Sequence, residues 1–260
     1  MAHVERLTVY PVKALDGQDR EAVRITEAGG LAGDREYALF GPDGDPVNGK
    51  RTDRVHDLST AFDPDARELT VDPDDGRRRR FHLDEDREAA ETWFGEFFDL
   101  PVSTERDATT GFPDRPDAGP SVISTATLET VVDWFDEVTV DGLRRRLRAN
   151  VEVEGVPAFW EDRFANEDAP AFEVGGVRFE GVERCGRCVV PQRDPDTGER
   201  TPAFRERFVR RRRETYPEWV DPDAVGNDYT LMLIAAAPRE DRGGTIGVGD
   251  EVRVLESDRD

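Results

Sequence analysis

The chain has 260 residues, enough to bury a substantial core in one large domain or two small ones. Its 58 Asp and Glu against 36 Lys and Arg give a formal net charge of −22, which repels phosphates and argues against nucleic acid as the main ligand. No run approaches the roughly 20 apolar residues of a membrane span. The N-terminus, Met1-Ala2-His3-Val4-Glu5-Arg6, enters a strand pattern without a signal peptide, so a cytoplasmic protein off the membrane is expected.

Only Lys13 and Lys50 are lysines; the other basic residues are arginines. The acids are spread along the chain and not gathered in one tail. That pattern reads as halophilic adaptation to a salty cytosol, where salt screens self-repulsion to about 3 Å at 1 M. An acidic patch for a basic partner is the rival reading. Hydrophobic residues are only 36% but cluster into strand-like runs, which argues against global disorder.

Alternation over residues 4–11 predicts a first strand, ending at Tyr10-Pro11-Val12-Lys13. Residues 21–26 and 35–40 read as strands around the turn Gly29-Gly30-Leu31-Ala32-Gly33-Asp34. Two short strands flank Asp63-Pro64-Asp65-Ala66, and residues 77–83 continue the meander. Its four arginines, 77–80, suit a solvated strand edge better than a nucleic-acid site. Residues 89–98 form a helix with Trp93, Phe94, Phe97 and Phe98 on one side, as core. Residues 101–106 are another strand, and the Gly/Pro/Asp-rich residues 109–120 are the linker between two halves.

The second half opens with a strand and a Ser/Thr cluster, Ser124-Thr125-Ala126-Thr127, where a hydroxyl is a natural helix N-cap. Arginine-rich residues 141–148, a strand at 150–153 and an aromatic loop at 159–162 follow. A hairpin turns at Gly175-Gly176. Residues 199–216 are partly helical, 231–237 a buried strand, 247–255 a last strand and 257–260 a frayed tail. Many short strands with few helices predict a β-rich α+β protein.

Cys185 and Cys188 are the only cysteines, in a C-x-x-C frame flanked by Arg184 and Arg187. Four readings stand: half of a zinc site, a redox pair, two core cysteines, or one reactive thiolate at a cofactor. The zinc site lacks histidines at ligand spacing, since His3, His56 and His82 are distant. The redox pair lacks a βαβ context. The arginines favour a thiolate.

The run Arg187-Cys188 followed by Asp194-Pro195-Asp196-Thr197-Gly198 resembles the signature of the MOSC family. Tyr10-Pro11-Val12-Lys13, Gly30-Leu31 and Asp34-Arg35 resemble the β-barrel domain that precedes it there. Leu147-Arg148-Ala149-Asn150-Val151 resembles the family's Arg-x-Asn segment, and Gly244-Thr245-Ile246 through Val248-Gly249-Asp250 its closing strand. The order is right over nearly the whole chain, and the arrangement is most similar to the amidoxime-reducing branch and to bacterial proteins reducing N-hydroxylated bases.

The resemblance implies an N-terminal β-barrel-like domain at 1–108 and a MOSC β-barrel domain with peripheral helices at 109–260. It also implies a molybdenum cofactor (molybdopterin) between the halves. Cys188 stands where the family's thiolate binds molybdenum, which makes it the metal ligand and catalytic residue; a soft thiolate suits the metal. Cys185 is a small buried neighbour. Lys13 and Arg35 fall at cofactor-contacting positions, although Ala14 stands where relatives carry a serine. Ser124, Thr125, Arg148 and Asn150 resemble second-domain contacts, and Tyr229 is a further candidate. Asp194 orders the loop, with Thr197 and Gly198 as its turn.

The implied activity is an oxidoreductase that reduces small N-hydroxylated substrates. Pyridoxal phosphate binding is a family-level association. The chain has neither a four-cysteine cluster pattern nor a Gly-rich dinucleotide fingerprint, so a separate ferredoxin or flavoprotein is the expected electron donor. The alternative is a sulfur carrier with a persulfide on Cys188, or a module that hands the cofactor on.

Overall fold

The alternating N-terminal run becomes a strand on which later parts of the chain assemble. A computed structural model describes residues 1–73, 76–116, 118–166 and 168–255; the tail expected at 257–260 lies outside these residues. In chain order the described elements are β1 (His3–Val9), β2 (Gln18–Asp19), β3 (Ala22–Arg24), β4 (Tyr37–Phe40), β5 (Leu58–Asp63), β6 (Glu68–Pro73) and β7 (Arg79–His82). Then come α1 (Arg87–Phe98), β8 (Ser103–Arg106), β9 (Ser121–Ser124), α2 (Thr125–Val132), α3 (Val140–Leu147) and β10 (Val151–Glu154). Last are β11 (Phe172–Val174), β12 (Val177–Gly186), α4 (Phe204–Glu214), β13 (Thr230–Ala236), β14 (Thr245–Gly247) and β15 (Val252–Val254). The class is β-rich α+β, as the many short strands imply.

One eight-stranded sheet runs β15-β11-β12-β13-β9-β10-β1-β2. β1 lies antiparallel to β10, with Leu7 opposite Val151, and β3 pairs with β14. Strands from either side of residue 108 therefore share hydrogen bonds. Alternate residues of β9 and β13 feed two cores. Val122, Leu233 and Ala235 pack with Phe164, Phe172 and Phe179 on one face. Ile123, Met232 and Ile234 meet α2, α3 and α4 on the other. Both faces are covered, which is why β9 and β13 read as unbroken buried runs.

A third core lies in the N-terminal half under α1, with Phe94 and Phe98 stacked at 5.9 Å. Trp93 and Phe97 are only half-buried, so α1 turns two of its four aromatic residues inward. β7 is an edge strand of the β5-β6-β7 sheet, and Arg77 to Arg80 are exposed there.

β12 carries register shifts between Gly181 and Glu183 and between Arg184 and Gly186. The first crosses so close to Phe164 that a Cβ at Gly181 would collide with its carbonyl oxygen. The second falls at the cysteine stretch. A bulge there ends regular pairing and re-aims the chain.

Behind this bend lies a buried polar cluster. Arg212 of α4 sits between the Phe159 and Tyr216 rings, at 4.0 and 4.8 Å, and is bonded to Asp162, which also accepts from Arg184. Neighbouring Glu161 is pushed up to about 7 by burial and by the Asp162 charge. Its folded-state affinity for a proton exceeds its unfolded one. The stabilisation is therefore complete below about pH 4.5 and is lost as pH rises to about 7. Glu161→Gln is expected to match the parent near pH 4.5 and to exceed it by up to about 3 kcal/mol at pH 8, measured by denaturant titration at both pH values.

Candidate active site

Lys13, Arg35, Arg148, Asn150, Cys185 and Cys188 all line one cleft of about 240 Å³. Among the described residues nine Lys/Arg and five Asp/Glu line it, a surplus of four positive charges on a chain of net charge −22. That contrast focuses anions on the cleft.

The N-terminal half supplies the first wall. Past β1 the chain is tied to β4 by Lys13 N–H to the Tyr37 carbonyl at 2.8 Å. This anchors Lys13, whose Nζ donates to the Phe112 carbonyl at 2.8 Å and to Asp114 at 2.6 Å. Burial raises the affinity of Asp114 for a proton, but the bond to Lys13 and the charges of Lys13, Lys50 and Arg35 outweigh it and hold the carboxyl low. Arg35 pairs with Asp34, which also accepts from the Tyr10 N–H at 2.8 Å.

The second wall is the end of α3. Arg148 takes the left-handed C-cap at φ 61°, with its N–H to the Arg144 carbonyl. Its guanidinium lies 4.0 Å over the Tyr10 ring, and that of Arg35 lies 5.0 Å over the same ring. The Tyr10 hydroxyl donates to the Ala149 carbonyl at 3.2 Å. One ring thus gathers an arginine from each half. Arg148 has no salt-bridge partner among the described residues, and its Nη2 is sealed without a hydrogen bond although part of the side chain meets the cleft. Burial and repulsion from Arg35 push its proton affinity down against weaker attractions.

Backbone strain concentrates here. Ala14, Arg35, Arg148 and Met232 line the cleft and are four of the eight described non-glycine residues at positive φ. Such conformations persist where function or packing over-determines them. Among the described residues, six of the thirteen buried side-chain atoms without a partner also belong to lining residues: Thr26, His56, Arg146, Arg148, Arg187 and Arg193.

The cysteine stretch closes the cleft. Cys188 is half-buried, and its Sγ accepts from the Val190 N–H at 3.5 Å. Cys185 is buried, and its Sγ accepts from Arg187 Nη1 at 3.1 Å, while Nη2 of the same arginine holds the Leu147 carbonyl at 3.1 Å. Asp194 accepts from the N–H groups of Asp196 and Thr197 at 3.0 and 3.1 Å and from Arg146 at 3.2 Å. It orders the turn, which Gly198 completes at φ 70°.

Asn150 lines the cleft, but its amide is occupied. The oxygen accepts from Ser121 and the nitrogen donates to the Thr8 carbonyl at 3.0 Å, which ties β1, β9 and β10 together. Ser124 and Thr125 are not among the lining residues. The Ser124 hydroxyl caps α2 through the Thr127 N–H, and Thr125 donates to Glu152 at 3.0 Å. Tyr229 is buried behind the cysteine stretch, where its carbonyl accepts from the Arg187 N–H at 2.9 Å; burial pushes its hydroxyl up to about 12.

Arg193, Arg146, Lys50 and His56 also line the cleft, and none of the four is a site candidate in the sequence. His56 is far from the cysteines in the chain, yet a Cβ at Gly198 would lie 3.4 Å from it. Burial pushes its imidazole below the ordinary range, against a bond to the Pro195 backbone. Among the described residues the one tight trio of metal-type ligands, His3, Glu5 and Glu154, lies outside the cleft.

The family model described as the MOSC N-terminal beta barrel domain matches residues 1–101, and that of the MOSC domain matches residues 116–253. The chain is 24% identical over 234 residues to mitochondrial amidoxime reducing component 2 of Macaca fascicularis, covering 75% of this chain and 68% of that protein. A 68-residue stretch, 26% of the chain, is 34% identical to the molybdenum cofactor sulfurase of Caenorhabditis briggsae, of which it spans only 9%. The crystal structure of the YUAD protein from Bacillus subtilis aligns over 98% of each chain at 15% identity and a TM-score of 0.43. No described helix is long and apolar enough to cross a membrane.

Proposed function

This chain belongs to the MOSC family, and from that premise we propose that its cleft holds a molybdenum cofactor and reduces N-hydroxylated compounds. The observation that carries the proposal is the convergence of surplus cations, unpartnered buried donors and a half-buried thiol on one cleft. That donor set fits the group. Cations and free N–H donors suit a phosphate-bearing pterin, and a thiolate suits the metal.

Lys13, Arg35 and Arg148 would hold the anionic arm, and Cys188 would ligate the metal. When bound, the cofactor supplies the two-electron chemistry that cleaves an N–O bond. The chain's own part is to bind, orient and charge-balance. Tyr10 holds Arg35 and Arg148 against their mutual repulsion. Asp114 keeps Lys13 in place, and Asp194 with Arg146 fixes the loop that follows the thiol. Asn150 braces the cleft from behind through its three-strand tie.

To test this, protein produced with the cofactor is assayed for bound molybdenum and for conversion of benzamidoxime to benzamidine with viologen as donor. Molybdenum binding with turnover is expected. A molybdenum-loaded sample that reduces neither an amidoxime nor a hydroxylamine would sink the proposal.

The short likeness to the sulfurase favours a second reading, in which Cys188 carries a persulfide. Metal-free protein bearing the extra mass of one sulfur on Cys188, without reductase turnover, would select it.

A further inference from the structure

Lysine is the rare cation of this chain: of 36 basic residues only Lys13 and Lys50 are lysines. One follows β1 and the other stands between β4 and β5, yet both line the cleft. They meet there at a single carboxylate. Asp114 Oδ1 accepts from Lys13 Nζ at 2.6 Å, and Asp114 Oδ2 lies 3.9 Å from Lys50 Nζ.

The two lysines are held differently. Lys13 is largely buried, and its ammonium is engaged by Asp114 and by the Phe112 carbonyl. Lys50 rides on a turn in which its own N–H and those of Arg51 and Thr52 all donate to Asn48. That turn packs on the cysteine loop, because a Cβ at Gly49 would lie 3.4 Å from Val190 Cγ2. The Lys50 ammonium is half-exposed, and among the described residues none accepts a hydrogen bond from it. Its three donors stand at the cleft with only the more distant Asp114 oxygen beside them.

Charge names the ligand class. Two ammonium groups against one carboxylate leave one positive charge over. A phosphate monoester carries about −1.5 to −2 at pH 7 and three acceptor oxygens, so it matches both lysines where Asp114 matches one. Lysine suits this use, as a compact point charge with rotatable donors that binds phosphate.

Asp114 is free to give way. Its side chain is 62% exposed. The backbone on either side is tied by the Phe112 N–H to the Arg35 carbonyl at 2.8 Å and by the Gly119 N–H to the Ala235 carbonyl at 2.7 Å. Turning the carboxylate outward breaks neither tie.

We infer that Lys50 joins Lys13 in a two-ammonium subsite for a phosphate monoester, and that Asp114 is the exchangeable counter-ion which the phosphate displaces. The inference deepens the cofactor reading of the cleft and rests on it for the origin of the phosphate, either the pterin arm or a phosphorylated substrate.

Calorimetry with inorganic phosphate, at low salt on protein without cofactor, reads the subsite directly. Lys50→Gln is expected to weaken phosphate binding about fivefold or more, and Asp114→Asn to strengthen it by a similar factor, because the competing charge is gone. Lys50→Arg keeps the charge and should stay closer to the parent than Lys50→Gln. Asp114→Ser serves if the asparagine variant disturbs folding. Unchanged phosphate affinity in Lys50→Gln overturns the subsite. Unchanged or weaker binding in Asp114→Asn overturns the exchange, since a carboxylate that only positions Lys13 would give that result. Two further readings on Lys50→Gln identify the source. Lost pterin and molybdenum mark the pterin phosphate. Full cofactor content with a raised KM for the phosphate ester of 4-hydroxybenzamidoxime, and not for benzamidoxime, marks the substrate. Full content with both KM values unchanged overturns the ligand assignment. Phosphate affinities that follow the expected pattern in a parent protein that takes up no molybdenum overturn the cofactor reading instead and leave the subsite standing.

Discussion

Cys188→Ser is expected to strip the protein of molybdenum and to lower N-reduction by at least about a hundredfold. Loss of a mere supporting group around a metal site already costs about 10–100-fold, and Cys188 is proposed as the ligand itself. Serine preserves the shape, but its hydroxyl stays protonated at neutral pH and is a hard oxygen where a soft sulfur is wanted. The loop should survive, because the bonds of Asp194 to Asp196, Thr197 and Arg146 do not involve the thiol. Cys185→Ser is the matched control. Its sulfur already accepts from Arg187, a role that a hydroxyl can take over, so molybdenum content should remain near the parent's. Metal analysis of both variants and the parent, prepared in parallel, decides the matter. Full molybdenum in Cys188→Ser would remove Cys188 from the ligand role.

Arg148→Met should move two quantities in opposite directions. Arg148 is a partly sealed cation beside another cation, with an Nη2 that no described residue satisfies. Replacing an uncompensated charge with an apolar side chain of similar length should stabilise the empty protein by about 1–2 kcal/mol, even after the stack on Tyr10 is lost. The same change should weaken binding of inorganic phosphate about tenfold or more, since the anion loses one of its charge-assisted donors. Denaturant titration and phosphate calorimetry on protein without cofactor read the two effects. A purely structural Arg148 would give the reverse, with lost stability and unchanged phosphate binding. Arg148→Lys keeps the charge without the planar face and should fall between parent and Met variant in phosphate affinity.

Much of the site was visible along the chain. Lys13, Arg35, Arg148 and the cysteines were all singled out, and the structure brings them to one cleft. Ser124 was visible in both of its readings, as an N-cap and as a contact, and its hydroxyl is engaged as the cap of α2. Asn150 reads as a polar residue beside a strand. That its amide ties three strands depends on the pairing of β1 with β10 and of β10 with β9, which no local pattern specifies.

By itself the sequence determined the local conformations. Alternation marked the strands, hydroxyls and glycines marked caps and turns, and the acidic background made any cation-rich spot conspicuous. These features act over a few residues, where backbone sterics and side-chain period decide conformation. Only the tertiary structure decided which charges meet. Tyr10 reaches Ala149 across 139 positions and Lys13 reaches Asp114 across 101. His56 comes to the cysteine loop through the folding of the N-terminal half onto it. Such contacts depend on strand register and on left-handed turns at Arg35 and Arg148, and both are selected by the packing of the whole sheet.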